Sequence, residues 1–172
     1  MASLMENLIE VLNTECSEYE GLLKLSQEKT AFIVKGDLVN IQKITDEEQE
    51  WVGRLNRLEK KRVEVTTDIA NVLNKDVTTL KLTQLIQLLN ARPAEQKLLA
   101  DVVERLQKVV REMQLINERN GELIKHSLEL VEFDLNLLQA MKTAPQTANY
   151  NRGAYNAGNT YSTGYNGFDA KQ

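Results

Sequence analysis

The chain has 172 residues, enough for one domain with a hydrophobic core, and 42% of them are hydrophobic while only 5% are aromatic. Two prolines among abundant Leu, Glu, Lys and Gln favour long helices over sheets. The net charge of −4 gives no indication of a nucleic-acid partner, and the single cysteine excludes an internal disulfide. No apolar run approaches the roughly 18 residues of a membrane span, and the acidic N-terminus predicts no signal peptide, so we expect a cytoplasmic protein without membrane insertion.

The first predicted helix begins at a capping box, because Ser3 and Glu6 have the required spacing. Its apolar stripe ends near Ile33, after which Gly36 suits a left-handed helix end and Asp37 suits the N-cap of the next helix. The stripe consists of Leu4, Leu8, Val11, Leu12, Tyr19, Leu22, Leu23 and Ile33.

The second predicted helix alternates apolar spacings of three and four, which is typical of a coiled-coil seam with a period of about 3.5 residues. The seam consists of Ile41, Ile44, Trp51, Leu55, Leu58, Val65, Ile69 and Val72. Glu48 and Arg62 occupy two positions of the same seam, and we expect them to set the register or to reach a partner helix.

Residues 74–79 break the pattern, and residues 82–89 then predict a short helix capped by Thr83. Pro93 suits the first position of a last helix that continues to about Met141. At about 1.5 Å per residue this helix is roughly 70 Å long. The predicted fold is therefore all-α: an elongated, antiparallel, coiled-coil-like bundle of three long helices and one short helix.

The composition changes after residue 142, which divides the chain into a helical domain, 1–142, and a tail, 143–172. The tail lacks Leu, Ile and Val and repeats a Tyr/Asn/Gly unit, so it is predicted to be disordered. Its aromatic residues are Tyr150, Tyr155, Tyr161, Tyr165 and Phe168. A solvating tail and an array of aromatic contacts for a partner both fit this composition.

Two faces of the last helix are apolar when residues are placed about 100° apart on a helical wheel. One face is the predicted core stripe, with Asn120 at its centre and Gly121 on its shoulder. This stripe consists of Val102, Leu106, Val109, Met113, Ile124, Val131 and Leu138. The opposite face is charged as far as Glu112 and then becomes a second apolar stripe. The second stripe consists of Leu115, Leu123, Leu130, Phe133, Leu137 and Met141.

A helix with two apolar faces needs cover on both, and three covers for the second stripe remain open. The short helix around Leu85 and Leu89 can fold over it, a second copy of the chain can pair with it as a homodimer, or another protein can lay an amphipathic helix against it.

The last helix also carries the residues of a family resemblance. Asn117, Asn120, Gly121, Leu123 and Ile124, followed by Leu128, resemble the late-helix motif of FlgN-type flagellar export chaperones. Segment 29–62, with its helix, Gly-Asp junction and second helix, is similar to the same family. The resemblance covers roughly residues 4–141.

The resemblance implies a chaperone of the flagellar type III export system that is not an enzyme and uses no cofactor. Its implied partners are hook-associated (hook–filament junction) proteins and components of the export gate. The second stripe is then the expected client-binding surface, while Asn117, Asn120, Gly121, Ile124 and Leu128 are expected to pack helices. An alternative function is a structural or adaptor coiled coil that self-associates through the same stripe.

Gly121 lies in the middle of the predicted last helix, where a glycine costs about 1 kcal/mol relative to alanine. We expect Gly121 to admit a close backbone approach and Asn120 to form a hydrogen bond across the seam. A local kink, or the end of a shorter helix at these residues, is the alternative.

Catalytic chemistry is weakly represented in the sequence. The segment around His126 weakly resembles the histidine phosphotransfer motif, but Glu129 and Leu130 stand where that motif has Lys and Gly. The loss of the cation argues against phosphoryl transfer. Cys16 has no obvious base and is expected to be a small packing residue, and no ligand spacing predicts a metal site.

Overall fold

The computed structural model describes residues 3–143, which form four α-helices and one short 3₁₀ turn. The helices are α1 (Leu4–Lys35), α2 (Leu38–Val72), α3 (Leu82–Leu88) and α4 (Pro93–Thr143), and the 3₁₀ turn (Leu89–Ala91) lies between α3 and α4. No β-strand occurs between residues 3 and 143. The predicted all-α class with three long helices and one short helix is confirmed. The predicted tail lies outside the described residues.

Local side-chain chemistry determines where α1 ends and α2 begins. The Ser3 hydroxyl accepts a hydrogen bond from the Glu6 backbone at 3.2 Å, and the Glu6 carboxylate accepts one from the Ser3 backbone at 2.7 Å. Gly36 has a φ of +68°, a left-handed conformation that glycine adopts without steric cost. Asp37 then accepts a hydrogen bond from the Asn40 backbone at 3.2 Å. All three predicted helix ends are confirmed.

The start of α3 differs from the prediction. The helix begins at Leu82, and the Lys81 backbone N–H donates to the Gln84 side-chain oxygen at 3.2 Å. Thr83 lies inside the first turn, so its predicted capping role is wrong. A glutamine three residues past the N-cap position can reach back to the backbone, and this contact replaces a threonine cap. Pro93 occupies the first position of α4, as predicted.

The described chain divides into two units, the first ending at Leu128 and the second beginning at Glu129. In the first unit α1 and α2 form an antiparallel pair, because Lys29 pairs with Glu48 while Glu15, earlier in α1, pairs with Arg62, later in α2. The first part of α4 runs in the same direction as α1. Cys16 lies against Val102, and further along α1 the Thr30 hydroxyl donates to Asn120.

The core of the first unit combines residues of α1, α2, α3 and α4. The α4 residues of this core include Val102, Leu106, Val109 and Met113, which confirms the first half of the predicted core stripe. The second half is wrong, because Ile124, Val131 and Leu138 are all exposed. The α1 and α2 residues of the core are Leu8, Leu12, Cys16, Leu22, Leu23, Leu55, Val65, Ile69 and Ala70.

The short helix α3 packs beside the first turns of α4. Leu85 is fully buried in the common core, and the Gln96 side chain of α4 donates to the backbone oxygen of Ile86 at 2.8 Å. Leu115 remains 66% exposed. Leu115 is the first residue of the second stripe, so the alternative in which α3 covers this part of the stripe is wrong.

Candidate partner-binding surface

The second unit presents an amphipathic segment of α4 whose apolar residues are uncovered. Between Glu129 and Thr143 every residue is exposed, and the large apolar side chains keep between 50% and 69% of their surface accessible. These side chains are Leu130, Val131, Phe133, Leu135, Leu137, Leu138 and Met141. Exposed apolar surface on one helix is typical of a site that another helix covers.

The six residues of the predicted second stripe are divided between the two units. Leu115 is exposed and Leu123 is half-buried in the first unit. Leu130, Phe133, Leu137 and Met141 lie in the second unit, and all four are exposed. Leu135 was not predicted, because its position falls outside both stripes on the helical wheel.

Asn120 forms the last buried position of α4. Its side-chain N–H donates to the backbone oxygen of Ser26 at 2.9 Å, and its side-chain oxygen accepts from the Thr30 hydroxyl at 2.6 Å. The predicted hydrogen bond across the seam is therefore confirmed. Because α4 is one continuous helix from Pro93 to Thr143, the alternative of a helix end at these residues is wrong.

The hydrogen bonds that join Asn120 to Ser26 and Thr30 belong to a polar cluster that also includes residues of α2. The Ser26 hydroxyl donates to Glu48 at 2.8 Å, and Lys29 donates to the other oxygen of the same carboxylate at 2.8 Å. Glu48 therefore reaches a partner helix, as predicted. A polar group at a buried helix position fixes register at some cost in stability. This cluster joins three helices at one level of the first unit.

The predicted packing role applies to Asn120 and not to its neighbours. Asn117, Gly121, Ile124 and Leu128 are exposed. A Cβ atom built on Gly121 meets nothing within 4 Å, so no neighbouring backbone of the described residues approaches this glycine closely. The wheel places residues on a face of α4 but does not show how far along the helix that face is covered.

Asn120→Ala is expected to lower the free energy of unfolding by about 1–2 kcal/mol, because two buried hydrogen bonds are lost. Asn117→Ala is the matched control, since it removes the same side chain from an exposed position of the same helix. It is expected to change stability by less than about 0.5 kcal/mol. Urea unfolding followed by circular dichroism measures both, and equal effects would show that the Asn120 contacts contribute nothing.

A buried ion pair in the first unit was not predicted as a pair. Glu15 is 3% exposed, and its Oε2 atom accepts no hydrogen bond from the described residues, while the Arg62 guanidinium lies 3.4 Å away. Burial raises the pKa of Glu15, and the Arg62 charge opposes that rise. Arg62 therefore reaches a partner helix as predicted, but the sequence did not indicate which carboxylate it meets.

Little in the described chain suggests reaction chemistry. Cys16 is fully buried, and burial raises the pKa of its thiol, which confirms a packing role. Residues 3–143 contain no group of three or more His, Cys, Asp or Glu side chains that could hold a metal ion. None of the helices described is long and apolar enough to cross a bilayer.

One of several cavities in the first unit has a volume of about 390 Å³ and is lined mainly by apolar side chains that include Leu4, Ile69 and Leu85. The charged residues in its lining, Arg92 and Glu95, are 3.4 Å apart and form an ion pair with each other. A small-molecule site needs polar groups that converge on a ligand. The exposed segment of α4 is therefore the better candidate for a functional site.

These features define an all-α helical protein with an exposed apolar helix segment. The chain belongs to the FlgN protein family, whose family model matches residues 1–158. This is a family of flagellar export chaperones, which agrees with the resemblance found in the sequence.

The chain is also similar to an individual protein. The chain is 23% identical over 144 residues to the uncharacterized protein YvyG of Bacillus subtilis (strain 168), and the match covers 84% of this chain and 83% of that protein. No solved structure matches the chain.

Proposed function

We propose that this protein is a cytoplasmic chaperone that binds an amphipathic terminal helix of hook-associated flagellar proteins and delivers them to the export gate. Membership of the FlgN family supports the general role in flagellar export. The observation that carries the specific proposal is the exposed apolar surface of the second unit. We place client binding on Leu130, Phe133, Leu137 and Met141.

A client that binds here would remove the apolar area of these side chains from water. A buried Leu, Phe or Met side chain contributes roughly 1.5–3 kcal/mol of gross stabilisation. Four such side chains offset the translational and ordering costs of association and leave a net affinity in the micromolar range or better. Holding a client in this way requires binding energy alone. Leu115 and Leu123, in the first unit, remain predicted contributors.

The test is the double substitution Leu130→Ser/Phe133→Ser. It is expected to leave the protein folded, because both side chains are exposed and lie outside the core of the first unit. It is expected to weaken client binding at least about tenfold, since it removes two side chains that the bound client would bury. Isothermal titration calorimetry with a full-length hook-associated protein measures the affinity, and circular dichroism measures the fold.

The matched control is Val72→Ser/Leu98→Ser, which removes two apolar side chains of the first unit that are also exposed, at 74% and 56%. Its client affinity is expected to equal that of the wild-type protein. A folded Leu130→Ser/Phe133→Ser variant with unchanged affinity would remove this surface from the mechanism.

A self-associating structural or adaptor protein is the second candidate, because the same exposed apolar side chains can pair with a second copy of the chain. Sedimentation equilibrium separates the two functions. A monomer that binds the client supports the chaperone. A stable oligomer that dissociates on Leu130→Ser/Phe133→Ser and does not bind the client supports the adaptor.

A further inference from the structure

The exposed apolar side chains of the second unit surround one acidic residue, Asp134. On a helix surface the nearest neighbours of a residue are those three and four positions away in the chain. For Asp134 these neighbours are Leu130, Val131, Leu137 and Leu138, and each of them keeps between 50% and 66% of its surface accessible. The Asp134 carboxylate therefore lies within the apolar face of the segment.

The other acidic residues of the segment lie on its opposite, polar face. With successive residues about 100° apart, Glu129 and Glu132 are about 140° and 160° away from Asp134 around the helix axis. Their carboxylates can stay in water when a partner covers the apolar face. Asp134 cannot, because a helix that covers Leu130 and Leu138 lies across it.

A carboxylate that leaves water without a counter-ion carries a large desolvation penalty, which a close cation offsets. None of the four neighbours of Asp134 is cationic. Within residues 129–143 the one Lys or Arg is Lys142, about 12 Å further along the helix axis. A partner helix has its interior backbone N–H groups bonded internally, so it must supply the cation from a side chain.

We propose that Asp134 selects a client helix that carries a Lys or Arg within its apolar face, and that the two side chains form an ion pair inside the interface. This inference rests on the proposed function, because the helix is the amphipathic terminal helix of the same client. The ion pair sets the register of the client helix, as a polar residue does in a helix seam. A helix with an apolar or acidic residue at that position leaves the carboxylate unpaired and is rejected.

A second copy of the chain fits this face less well. Two copies that pair through residues 129–143 bring two Asp134 carboxylates into one interface, and like charges there oppose association. The cation that each segment offers is Lys142, which lies about 80° from Asp134 around the helix axis. It is therefore at the edge of the apolar face and not beside the carboxylate.

The experiment compares two uncharged replacements of Asp134 with one on the polar face. Asp134→Asn retains the shape of the side chain, and Asp134→Leu extends the apolar face. Glu132→Gln is the matched control, since it removes a carboxylate from the same helix outside that face. Calorimetry with a full-length hook-associated protein gives the affinity of each variant, and sedimentation equilibrium gives the oligomeric state. Asp134→Asn alone decides the comparison if Asp134→Leu self-associates.

Both Asp134 variants are expected to weaken client binding at least about tenfold, because the client cation is then buried without its counter-ion. The control is expected to bind as the wild-type protein does. Without an ion pair, Asp134→Leu adds apolar area to the interface, so it would bind the client at least as tightly as the wild-type protein.

Unchanged or tighter binding by either monomeric Asp134 variant would therefore overturn the inference. Equal weakening by Glu132→Gln would also overturn it, since overall charge would then explain the effect. Both results leave the proposed function intact, because that function is tested separately by Leu130→Ser/Phe133→Ser. A wild-type oligomer that dissociates on Asp134→Asn would assign the carboxylate to self-association instead.

Discussion

Arg62→Met is expected to lower the free energy of unfolding at neutral pH by about 3–5 kcal/mol, because it leaves the Glu15 carboxylate buried without its counter-ion. Glu15 is almost completely inaccessible to solvent, and the Arg62 guanidinium is the cation that its Oε2 atom meets. The methionine side chain retains much of the volume of the arginine stem, so the expected loss reflects charge more than packing.

The double variant Glu15→Gln/Arg62→Met tests this explanation. Glutamine has nearly the shape of glutamate but carries no charge, so most of the lost stability should return. Glu15→Gln alone should cost little, because Arg62 is partly exposed and lies 3.8 Å from Glu59. If the single Arg62→Met and double variants unfold at the same urea concentration, the buried charge is not the cause.

The pH dependence has a definite sign. Burial raises the pKa of Glu15 in the folded protein above its ordinary value of 4.5, so the folded state binds this proton more tightly than the unfolded state does. Protonation of Glu15 therefore contributes stability that is fully present below about pH 4.5 and is lost as the pH rises through the raised pKa. The destabilisation caused by Arg62→Met should be smaller at about pH 5 than at about pH 7.5, since protonation removes the uncompensated charge.

Gly21→Leu is expected to destabilise the protein by about 3 kcal/mol or more, because the new side chain collides with the indole ring of Trp51. A Cβ atom at Gly21 already overlaps the Cη2 and Cζ3 atoms of that ring. The ring is also held from its own helix, since the Arg54 guanidinium lies 4.3 Å from its centroid and pairs with Glu18 at 2.8 Å. The indole therefore cannot move aside freely.

The matched controls are glycine substitutions in open positions. Gly21→Ala is expected to be destabilising, whereas Gly53→Ala and Gly121→Ala should stabilise the helices by up to about 1 kcal/mol, because an added Cβ meets nothing within 4 Å at either site. Thermal unfolding followed by circular dichroism measures all of these variants. A stabilising effect of Gly21→Ala would contradict the close contact with Trp51.

The sequence was sufficient to predict most helix ends, because these depend on residues that are close to each other in the chain. Ser3 and Glu6, Gly36 with Asp37, and Pro93 act through their own backbone surroundings, so their sequence spacing determines the helix ends. Thr83 was wrongly predicted as the cap of α3. The helix begins one residue before it, and the side-chain oxygen of Gln84 accepts a hydrogen bond from the Lys81 backbone.

Features that depend on the alignment between helices could not be predicted in the same way. Val109 and Leu138 occupy equivalent positions on a helical wheel, yet Val109 is buried and Leu138 is exposed. Periodicity identifies residues that share a face but not how far the neighbouring helices extend along it. The contact of Gly21 with Trp51 and that of Glu15 with Arg62 also depend on the register of α1 against α2, which a single sequence does not reveal.

The complete burial of Cys16 has a practical consequence for spectroscopic work on this protein. Thiol reagents attack the thiolate, and a buried thiol with a raised pKa is both inaccessible and protonated at neutral pH. A cysteine introduced at the exposed Met141 should therefore accept a maleimide fluorophore while the native thiol stays unmodified. Conversely, the rate at which the native thiol becomes labelled in the unsubstituted chain would report how often the helices around it separate.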